Sequence, residues 1–251
     1  MLRRINSGGY CVAKNNMNET SSKDGAENIR DTFKRWPRLY FFIATVFGPL
    51  MFCGLSGKGF LKKYGSEGVC LNLGSGPRVI GEGVVNVDAY PYKGVSVIAD
   101  ITSLPFKDAG VSRIVCDTVL EHVHDPIQAV REMHRVLIQG GLAYISIPLL
   151  YPFHSSPSDY QRWTYNGLLH LTRDFEVVEG GNRAGPFSAL TVWLCYLFAS
   201  LLSFGNKSLY WVLINAAMFI FFPVKLLDIV GNHLPQAKNM AAVLYVVIRK
   251  K

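Results

Sequence analysis

The stretch that decides the fold is VCLNLGSGP, at residues 69–77. It is a short apolar run ending in two glycines and a proline, which is typical of a buried strand followed by a tight turn. Further apolar segments follow at residues 83–88, 95–100, 113–117 and 142–148. Strands this apolar, joined by separate connections, predict a parallel sheet that is buried on both faces.

The segments beyond this run complete the predicted sheet. Residues 165–171 predict a short helix, residues 175–179 a sixth strand and residues 241–248 a seventh. A crossover helix is predicted to begin after Asp125, which suits an N-cap because a proline follows it, and to end at Gly140 and its neighbouring glycine. The expected fold is therefore α/β, with a doubly wound, seven-stranded and mostly parallel sheet.

A long apolar segment interrupts this pattern before the last strand. Residues 184–224 contain one charge, Lys207, and a turn motif, Gly205 followed by Asn206, precedes it. We interpret the segment as two apolar helices in a hairpin, inserted within residues 184–238. The hairpin either enters a membrane or serves as a water-soluble substrate lid or dimer interface.

The first part of the chain carries a second uncharged run, at residues 39–57. An interfacial or re-entrant membrane segment within residues 39–64 and a buried helix covering the sheet both fit this run. Residues 1–38 are polar and show no apolar period, so we expect a disordered basic tail. Residues 65–183 and 239–251 then form the main domain.

The net charge of the 251-residue chain is +8, but the predicted sheet region does not carry the excess. Residues 69–183 contain nine Lys/Arg and twelve Asp/Glu, a net charge of −3. A nucleic-acid-binding protein concentrates basic groups on its working face, so we expect no nucleic-acid partner. The basic groups flank the apolar runs instead, which favours an anionic membrane surface as partner, with ordinary solubilising charge as the alternative.

Five cysteines are present, and no two of them form a CxxC pair. The sequence therefore contains neither a zinc-finger pattern nor a disulfide framework, which indicates a reducing compartment. We expect a cytoplasmic protein associated with a membrane through residues 39–57 and 184–224.

The glycine turn after the first strand is the main functional clue. Gly74 and Gly76 allow the backbone to approach a ligand closely, and Asp88 ends the second strand, where a carboxylate can bind both ribose hydroxyls. The interval between turn and carboxylate is short, and Val79 stands where a dinucleotide fingerprint has its third glycine. A nucleoside without pyrophosphate therefore fits better than a nicotinamide dinucleotide.

Five motifs in order resemble those of class I S-adenosylmethionine-dependent methyltransferases, closest to the type 11 branch that includes quinone and surface-polysaccharide methyltransferases. They are residues 69–76, Asp88, DITSLPF at 100–106, LEHV at 120–123 and RVLIQGG at 135–141. The resemblance covers about residues 65–180. It implies a Rossmann-like methyltransferase fold, S-adenosyl-L-methionine as cofactor and methyl transfer as activity.

The resemblance also implies which residues bind the cofactor. The glycine turn would border it, Asp88 would hold its ribose, Asp100 and Ile101 would frame its adenine, and the segment after the fourth strand would lie under its methionine part. The family often has an acidic residue at position 72, whereas Asn72 offers an amide without the charge. The predicted cofactor-binding residues are Asn72, Gly74, Ser75, Gly76, Asp88, Asp100, Ile101, Asp117, Thr118 and Leu120.

Candidates for the acceptor side follow the fifth strand, at the edge of the sheet where ligands bind in open α/β folds. We expect His154 to act as a base or as an acceptor-orienting group, and Tyr160 and Arg162 to shape the acceptor pocket. The alternative is that residues 159–163 form a helix-entry turn held by its own hydrogen bonds.

A metal site near Glu121 is not favoured by the sequence. His122 and His124 fall on opposite sides of an extended chain, Asp125 belongs to the helix start, and no second ligand cluster is evident. We therefore assign no metal.

The predicted function is methyl transfer from S-adenosylmethionine to a small or lipid-linked acceptor at a membrane surface. The alternative is a membrane-anchored scaffold that has the methyltransferase fold without turnover, as Asn72 would allow. The sequence leaves the oligomeric state open.

Overall fold

The apolar run that opens the fold forms β1, Cys70–Leu73, at the centre of a seven-stranded sheet. The structure, a computed structural model, describes residues 46–154 and 158–251. The other strands are β2 Val84–Asp88, β3 Val97–Ile98, β4 Val111–Asp117, β5 Leu137–Pro148, β6 Phe175–Ala184 and β7 Val243–Lys250.

The strands lie in the order β3-β2-β1-β4-β5-β7-β6, and β7 runs antiparallel to both of its neighbours. All pairings among β1 to β5 are parallel. Within the described residues, the α helices with bounds are α1 Gly57–Tyr64, α2 Pro126–Val136, α3 Tyr165–Leu171, α4 Pro186–Leu202, α5 Lys207–Lys225 and α6 Asp228–Gly231. Short 3-10 turns cover Leu120–His122 and Ala237–Asn239. The predicted mostly parallel α/β sheet and the apolar hairpin are confirmed.

Apolar side chains alternate along the central strands, and each set is covered by helices on its own side. Leu71 and Ile114 pack with α2 and α3, whereas Cys70 and Val115 pack with Phe60 of α1. Successive side chains of a strand point to opposite faces, so the sheet has one apolar core on each face. Apolar side chains therefore fill both faces of the central strands.

Helix α2 begins as its sequence predicts, because the Asp125 carboxylate accepts a hydrogen bond from the amide of Gln128 at 2.9 Å. Its predicted end at the glycine pair is wrong. The helix stops at Val136, and β5 starts immediately because Leu137 pairs with Val111 of β4. Gly140, with φ of +73°, lies within β5 near a register shift, so it serves a strand irregularity and not a helix cap.

The hairpin α4–α5 leaves the sheet at the edge where the parallel strands end. Ala184, the last residue of β6, and Pro148, the last residue of β5, both pair with Val243, the first residue of β7. Because β6 and β5 are each antiparallel to β7, they point in the same direction. The hairpin is therefore attached at the carboxyl edge of the sheet.

The uncharged run at residues 39–57 lies partly outside the described residues, and the tail at residues 1–38 lies wholly outside them. In the described part, the Phe47 ring lies 4.7 Å from Phe219 and 4.9 Å from Phe222 of α5, centroid to centroid. Phe52 bridges to the end of β6. This part therefore packs against the hairpin, and α1 is the helix that covers the sheet there. The predicted domain boundaries stay predictions.

Candidate active site

The turn after β1 needs its two glycines for different reasons. Gly74 has φ of +60°, and a Cβ atom there would lie 2.5 Å from the side chain of Val119. Gly76 has φ of +52°, but a Cβ atom there would meet nothing within 4 Å. The first glycine permits close packing on the loop after β4, and the second borders open space in which a ligand can approach the backbone.

Asp88 lies directly against this turn. Its Oδ2 accepts a hydrogen bond from the Gly76 amide at 2.8 Å, and its Oδ1 accepts one from the Tyr90 amide at 2.9 Å. A carboxylate has about four acceptor positions, so two remain for a ligand. Ser75, between the glycines, donates its amide to the Val87 carbonyl at 3.1 Å and anchors the turn to β2. The structure thus brings the predicted glycine turn and carboxylate together.

Asn72 has a supporting place beneath the turn. Its amide nitrogen donates to Asn86 Oδ1 at 3.0 Å and to the Arg78 carbonyl at 3.3 Å. The side chain is buried, and these bonds join β1, β2 and the end of the turn. The donor of Asn72 is therefore engaged within the protein, and its predicted contact with the cofactor stays a prediction.

The predicted adenine frame lies beside β2. The Ala99 amide donates a hydrogen bond to the Asp88 carbonyl at 3.0 Å, which places the residues after Ala99 next to Asp88. The exposed Asp100 accepts hydrogen bonds from the amide and hydroxyl of Thr102, both at 2.8 Å, whereas Ile101 is buried in the core. The Asp100 carboxylate therefore stabilises its own loop, and Ile101 anchors that loop to the core.

The loop after β4 carries the residues predicted to lie under the methionine part. Asp117 accepts a short hydrogen bond from the Ser146 hydroxyl, and the Thr118 amide donates to the Ser146 carbonyl at 3.1 Å. Thr118 has φ of +57°, a conformation that costs a non-glycine residue about 1 kcal/mol or more and is often retained at functional sites. Leu120 is fully buried and fixes the loop to the core.

The acceptor-side candidates form a connected group after β5. Asp159 makes a bidentate ion pair with Arg162, and its carboxylate accepts a hydrogen bond from the His154 backbone amide at 3.1 Å. Arg162 therefore holds the carboxylate that anchors the segment carrying His154, and its predicted contact with the acceptor stays a prediction. Tyr160 is half-exposed, and its ring lies 5.7 Å from that of His124.

A cluster that the sequence did not predict lies next to this group. Glu121 Oε1 is 3.7 Å from His122 Nε2 and 3.9 Å from His154 Nε2. Glu121 is fully buried, and apart from its own backbone amide neither carboxyl oxygen has a hydrogen-bond partner among residues 46–154 and 158–251. The residues follow β4 and β5, which are neighbours, so adjacent strand ends bring them together.

Burial sets the protonation of this cluster. It raises the pKa of Glu121 to about 8, an effect that the Arg162 guanidinium partly opposes. Burial, and then the neighbouring His122, lowers the pKa of His154, against the pull of Asp159. A neutral imidazole and a carboxyl group of raised pKa therefore face each other at neutral pH.

Potential metal ligands do meet near Glu121, contrary to the expectation from the sequence. His124 and Asp125 do lie apart from it, since the first contacts Tyr160 and the second caps α2. A further potential ligand, however, is His154, which follows the next strand. Strand adjacency was the available clue, because residues that follow neighbouring parallel strands meet at one edge.

The site fits an adenosyl group at the places that the structure leaves available. Open space borders Gly76, and the Asp88 carboxylate beside it keeps acceptor positions for two hydroxyls. Gly74, Gly76 and Asp88 would hold the cofactor there.

Comparison with known proteins agrees with this geometry. Residues 80–145 match a family model described as a methyltransferase domain, of type 11. The comparison with curated proteins found no match. Among solved structures, the [4+2]-cyclase SpnF is 15% identical with a TM-score of 0.50, over 90% of this chain and 96% of that one.

Two other similar structures are those of methyltransferases. A SAM-dependent methyltransferase from Thermotoga maritima is 17% identical with a TM-score of 0.47, over 88% of this chain and 99% of that one. Phosphoethanolamine N-methyltransferase 2 from Haemonchus contortus, solved with S-adenosyl-L-methionine, is 14% identical with a TM-score of 0.49, over 91% of this chain and 60% of that one.

The family match covers β2 to β5 and the loop after β4, and the strand order and the glycine turn complete the same pattern. The chain therefore has the fold of class I S-adenosylmethionine-dependent methyltransferases, and its residues 80–145 resemble a methyltransferase domain.

Proposed function

We propose that the enzyme transfers the methyl group of S-adenosylmethionine to a small or lipid-linked acceptor at a membrane surface. The observation that carries this proposal is the attachment of the apolar hairpin α4–α5 at the carboxyl edge of the sheet. The glycine turn, Asp88 and the acceptor-side group are at the same edge. An acceptor held in a membrane by an apolar chain would then meet the cofactor without leaving the lipid surface.

One helix of the hairpin, α5, has the length and composition that a membrane span requires, whereas α4 is a shorter apolar helix of 17 residues. Helix α5 has 19 residues, and only 11% of its apolar stretch is buried within the protein. At 1.5 Å per residue it is roughly 28 Å long, close to the ~30 Å thickness of the hydrocarbon core. Both ends of the hairpin join the sheet, so the hairpin would enter and leave the membrane on one side. We place that side in the cytoplasm.

Aromatic side chains connect the acceptor side with the hairpin. The His154 ring lies 5.2 Å from that of Tyr151, and Tyr151 is within electrostatic reach of Tyr196 on α4. Tyr196 in turn contacts Tyr210 on α5, with centroids 6.5 Å apart. A series of neighbouring aromatic rings suits contact with an acceptor that has an apolar or isoprenoid part.

The protein has few chemical tasks in this reaction. When bound, the cofactor supplies a methyl group already activated by its positive sulfur. The glycine turn and Asp88 orient that methyl group by holding the cofactor, and orientation alone can contribute several kcal/mol. For a hydroxyl acceptor, we propose that His154 serves as the base or orienting group. Its Nδ1 lies 3.4 Å from Asp159, and its lowered pKa keeps it neutral at pH 7.

Labelling of a lipid extract tests the acceptor class. The full-length enzyme is incubated with S-adenosylmethionine carrying a radiolabelled methyl group and with total lipid extract, and label is counted in the organic phase. We expect organic-phase label with the wild type and none with Asp88→Ala. Label confined to water-soluble compounds would contradict a lipid-linked acceptor. Undiminished turnover of His154→Ala at neutral pH would contradict the role of His154.

A further inference from the structure

Three potential metal ligands converge at the carboxyl ends of β4 and β5. One oxygen of Glu121 and one ring nitrogen each of His122 and His154 lie within 4.8 Å of one another. Glu121 and His122 come from the 3-10 turn after β4, and His154 comes from the segment after β5. Their convergence therefore depends on the sheet and is not a local consequence of the sequence.

The Glu121 carboxyl group needs a partner that the described residues do not provide. Neither of its oxygens is hydrogen-bonded among residues 46–154 and 158–251, apart from a contact with its own amide. Almost all buried polar groups in native proteins are paired, and an isolated buried carboxylate is very costly. Two imidazole Nε2 atoms lie within 4 Å of its Oε1, and a cation between them would satisfy all three residues.

The two imidazoles are already oriented as metal ligands usually are. His122 Nδ1 lies 2.5 Å from the Ser158 carbonyl, which fixes the proton on that nitrogen and leaves Nε2 as the acceptor. His154 Nδ1 lies 3.4 Å from the Asp159 carboxylate, and Arg162 holds that carboxylate in place. A carbonyl or carboxylate behind each histidine is the usual outer shell of a histidine–metal site.

We propose that Glu121, His122 and His154 bind one divalent transition-metal ion. Two imidazoles and one carboxylate form a ligand set of catalytic zinc sites, which keep a further position open. Ligand atoms 2.0–2.2 Å from one tetrahedral metal ion lie roughly 3.3–3.6 Å from one another. The distances of 3.7 and 3.9 Å from Glu121 are within a few tenths of an ångström of this range, and the three ligand atoms, which lie within 4.8 Å of one another, would close around the ion by small side-chain rotations.

The role of this ion rests on the proposed function, whereas its binding does not. A hydroxyl acceptor bound at the open position would lose its proton to solvent water more readily, as water does on zinc. The acceptor oxygen would then attack the methyl carbon while the carbon–sulfur bond breaks and S-adenosylhomocysteine leaves. In this arrangement His154 is an orienting group and not the base.

Metal titration of the full-length protein tests the site. The protein is treated with a chelator, dialysed and titrated with Zn²⁺ by calorimetry, and Co²⁺ is added separately to record the visible spectrum of the bound ion. The variants are Glu121→Gln, which preserves the shape of a buried residue, and His122→Ala, at the rim of the cluster. His124→Ala is the matched control, because this histidine is next in sequence but contacts Tyr160 instead.

We expect one Zn²⁺ per chain in the wild type and in His124→Ala. Affinity should fall about 100-fold or more in Glu121→Gln and His122→Ala, since loss of even an outer-shell partner costs about 10- to 100-fold. Absence of stoichiometric binding, or equal affinity in Glu121→Gln, would overturn the proposal. Binding of S-adenosylmethionine by the same samples reports that each variant is folded and separates this result from the proposed methyl transfer.

Discussion

Helices α2 and α5 use apolar residues in opposite ways. In α2, the buried residues Ala129, Met133 and Val136 share one face that packs on the sheet. In α5, only Ile214, Ala217 and Lys225 are buried, and large apolar side chains are exposed. These exposed side chains of α5 include Trp211, Phe219 and Ile220. Most apolar side chains of α2 are thus used in packing on the sheet, whereas many apolar side chains of α5 have no packing role within the described protein.

This comparison predicts that the two regions can be damaged separately. Changes in the hairpin should alter membrane binding and leave cofactor affinity intact. Changes at the rim of the sheet should do the reverse.

The largest effect is expected at the hairpin tip. Leu201 and Phe204 are 74% and 89% exposed, and burying such side chains contributes about 2 kcal/mol each. Leu201→Ser combined with Phe204→Ser should therefore lower partitioning into anionic lipid vesicles by roughly 1000-fold, measured by cosedimentation. The control replaces two exposed residues of the sheet region, Ile127→Ser and Val177→Ser. Equal loss in the control would remove the distinction between the regions.

The next effect concerns the buried Glu121. Its pKa in the folded protein, about 8, is above its ordinary value of 4.5, so the protonated form stabilises the fold. That stability is complete below about pH 4.5 and is lost as pH rises towards 8. With chelator present, the wild type should lose about 3 kcal/mol relative to Glu121→Gln between pH 5 and 8, by denaturant unfolding. If the difference in unfolding free energy between the two proteins does not change with pH, another group balances the charge of Glu121 in the folded protein. Added Zn²⁺ should remove the pH dependence in this way.

A smaller effect separates the two glycines of the turn. Gly74→Ala combines a positive φ with a clash against Val119, so unfolding free energy should fall by about 2–3 kcal/mol, or roughly 5–10 °C in Tm. Gly76→Ala should cost about 1 kcal/mol, because its Cβ would point into open space. That Cβ would instead weaken cofactor binding. Calorimetric melting of both variants checks the order, and a larger Tm loss in Gly76→Ala would contradict it.

The smallest effect is at the start of α2. Asp125→Ala removes the cap hydrogen bond to Gln128 and should cost about 1 kcal/mol of unfolding free energy. Thermal melting should record a decrease of roughly 2–4 °C for a chain of this length. Vesicle partitioning should not change. A change in partitioning would mean that the sheet region also takes part in membrane contact.

The cofactor half of the site is predictable because it depends on local order in the chain. The first two strands of such a sheet are neighbours, so the turn at Gly74 and the carboxylate at Asp88 meet whenever the sheet forms. The N-cap at Asp125 is likewise a local feature. The end of α2 was mispredicted because the pairing of Leu137 with Val111 of β4 overrides the local preference of the glycines.

The acceptor half could not be predicted in the same way. Glu121 and His154 belong to different loops, and only the position of β5 beside β4 brings them together. The pairing of Arg162 with Asp159 depends on a turn geometry that composition does not encode. Burial of Glu121 without a partner is visible only when the surrounding side chains are placed.

Calorimetric titration of the full-length protein with S-adenosylmethionine tests the central claim, that the turn and Asp88 hold an adenosyl group. The account predicts one site in the wild type and about 100-fold weaker binding in Asp88→Ala, as expected for loss of charged hydrogen bonds to both ribose hydroxyls. The hairpin-tip double variant should bind like the wild type. Absence of binding to the wild type, or unchanged affinity in Asp88→Ala, would contradict the account.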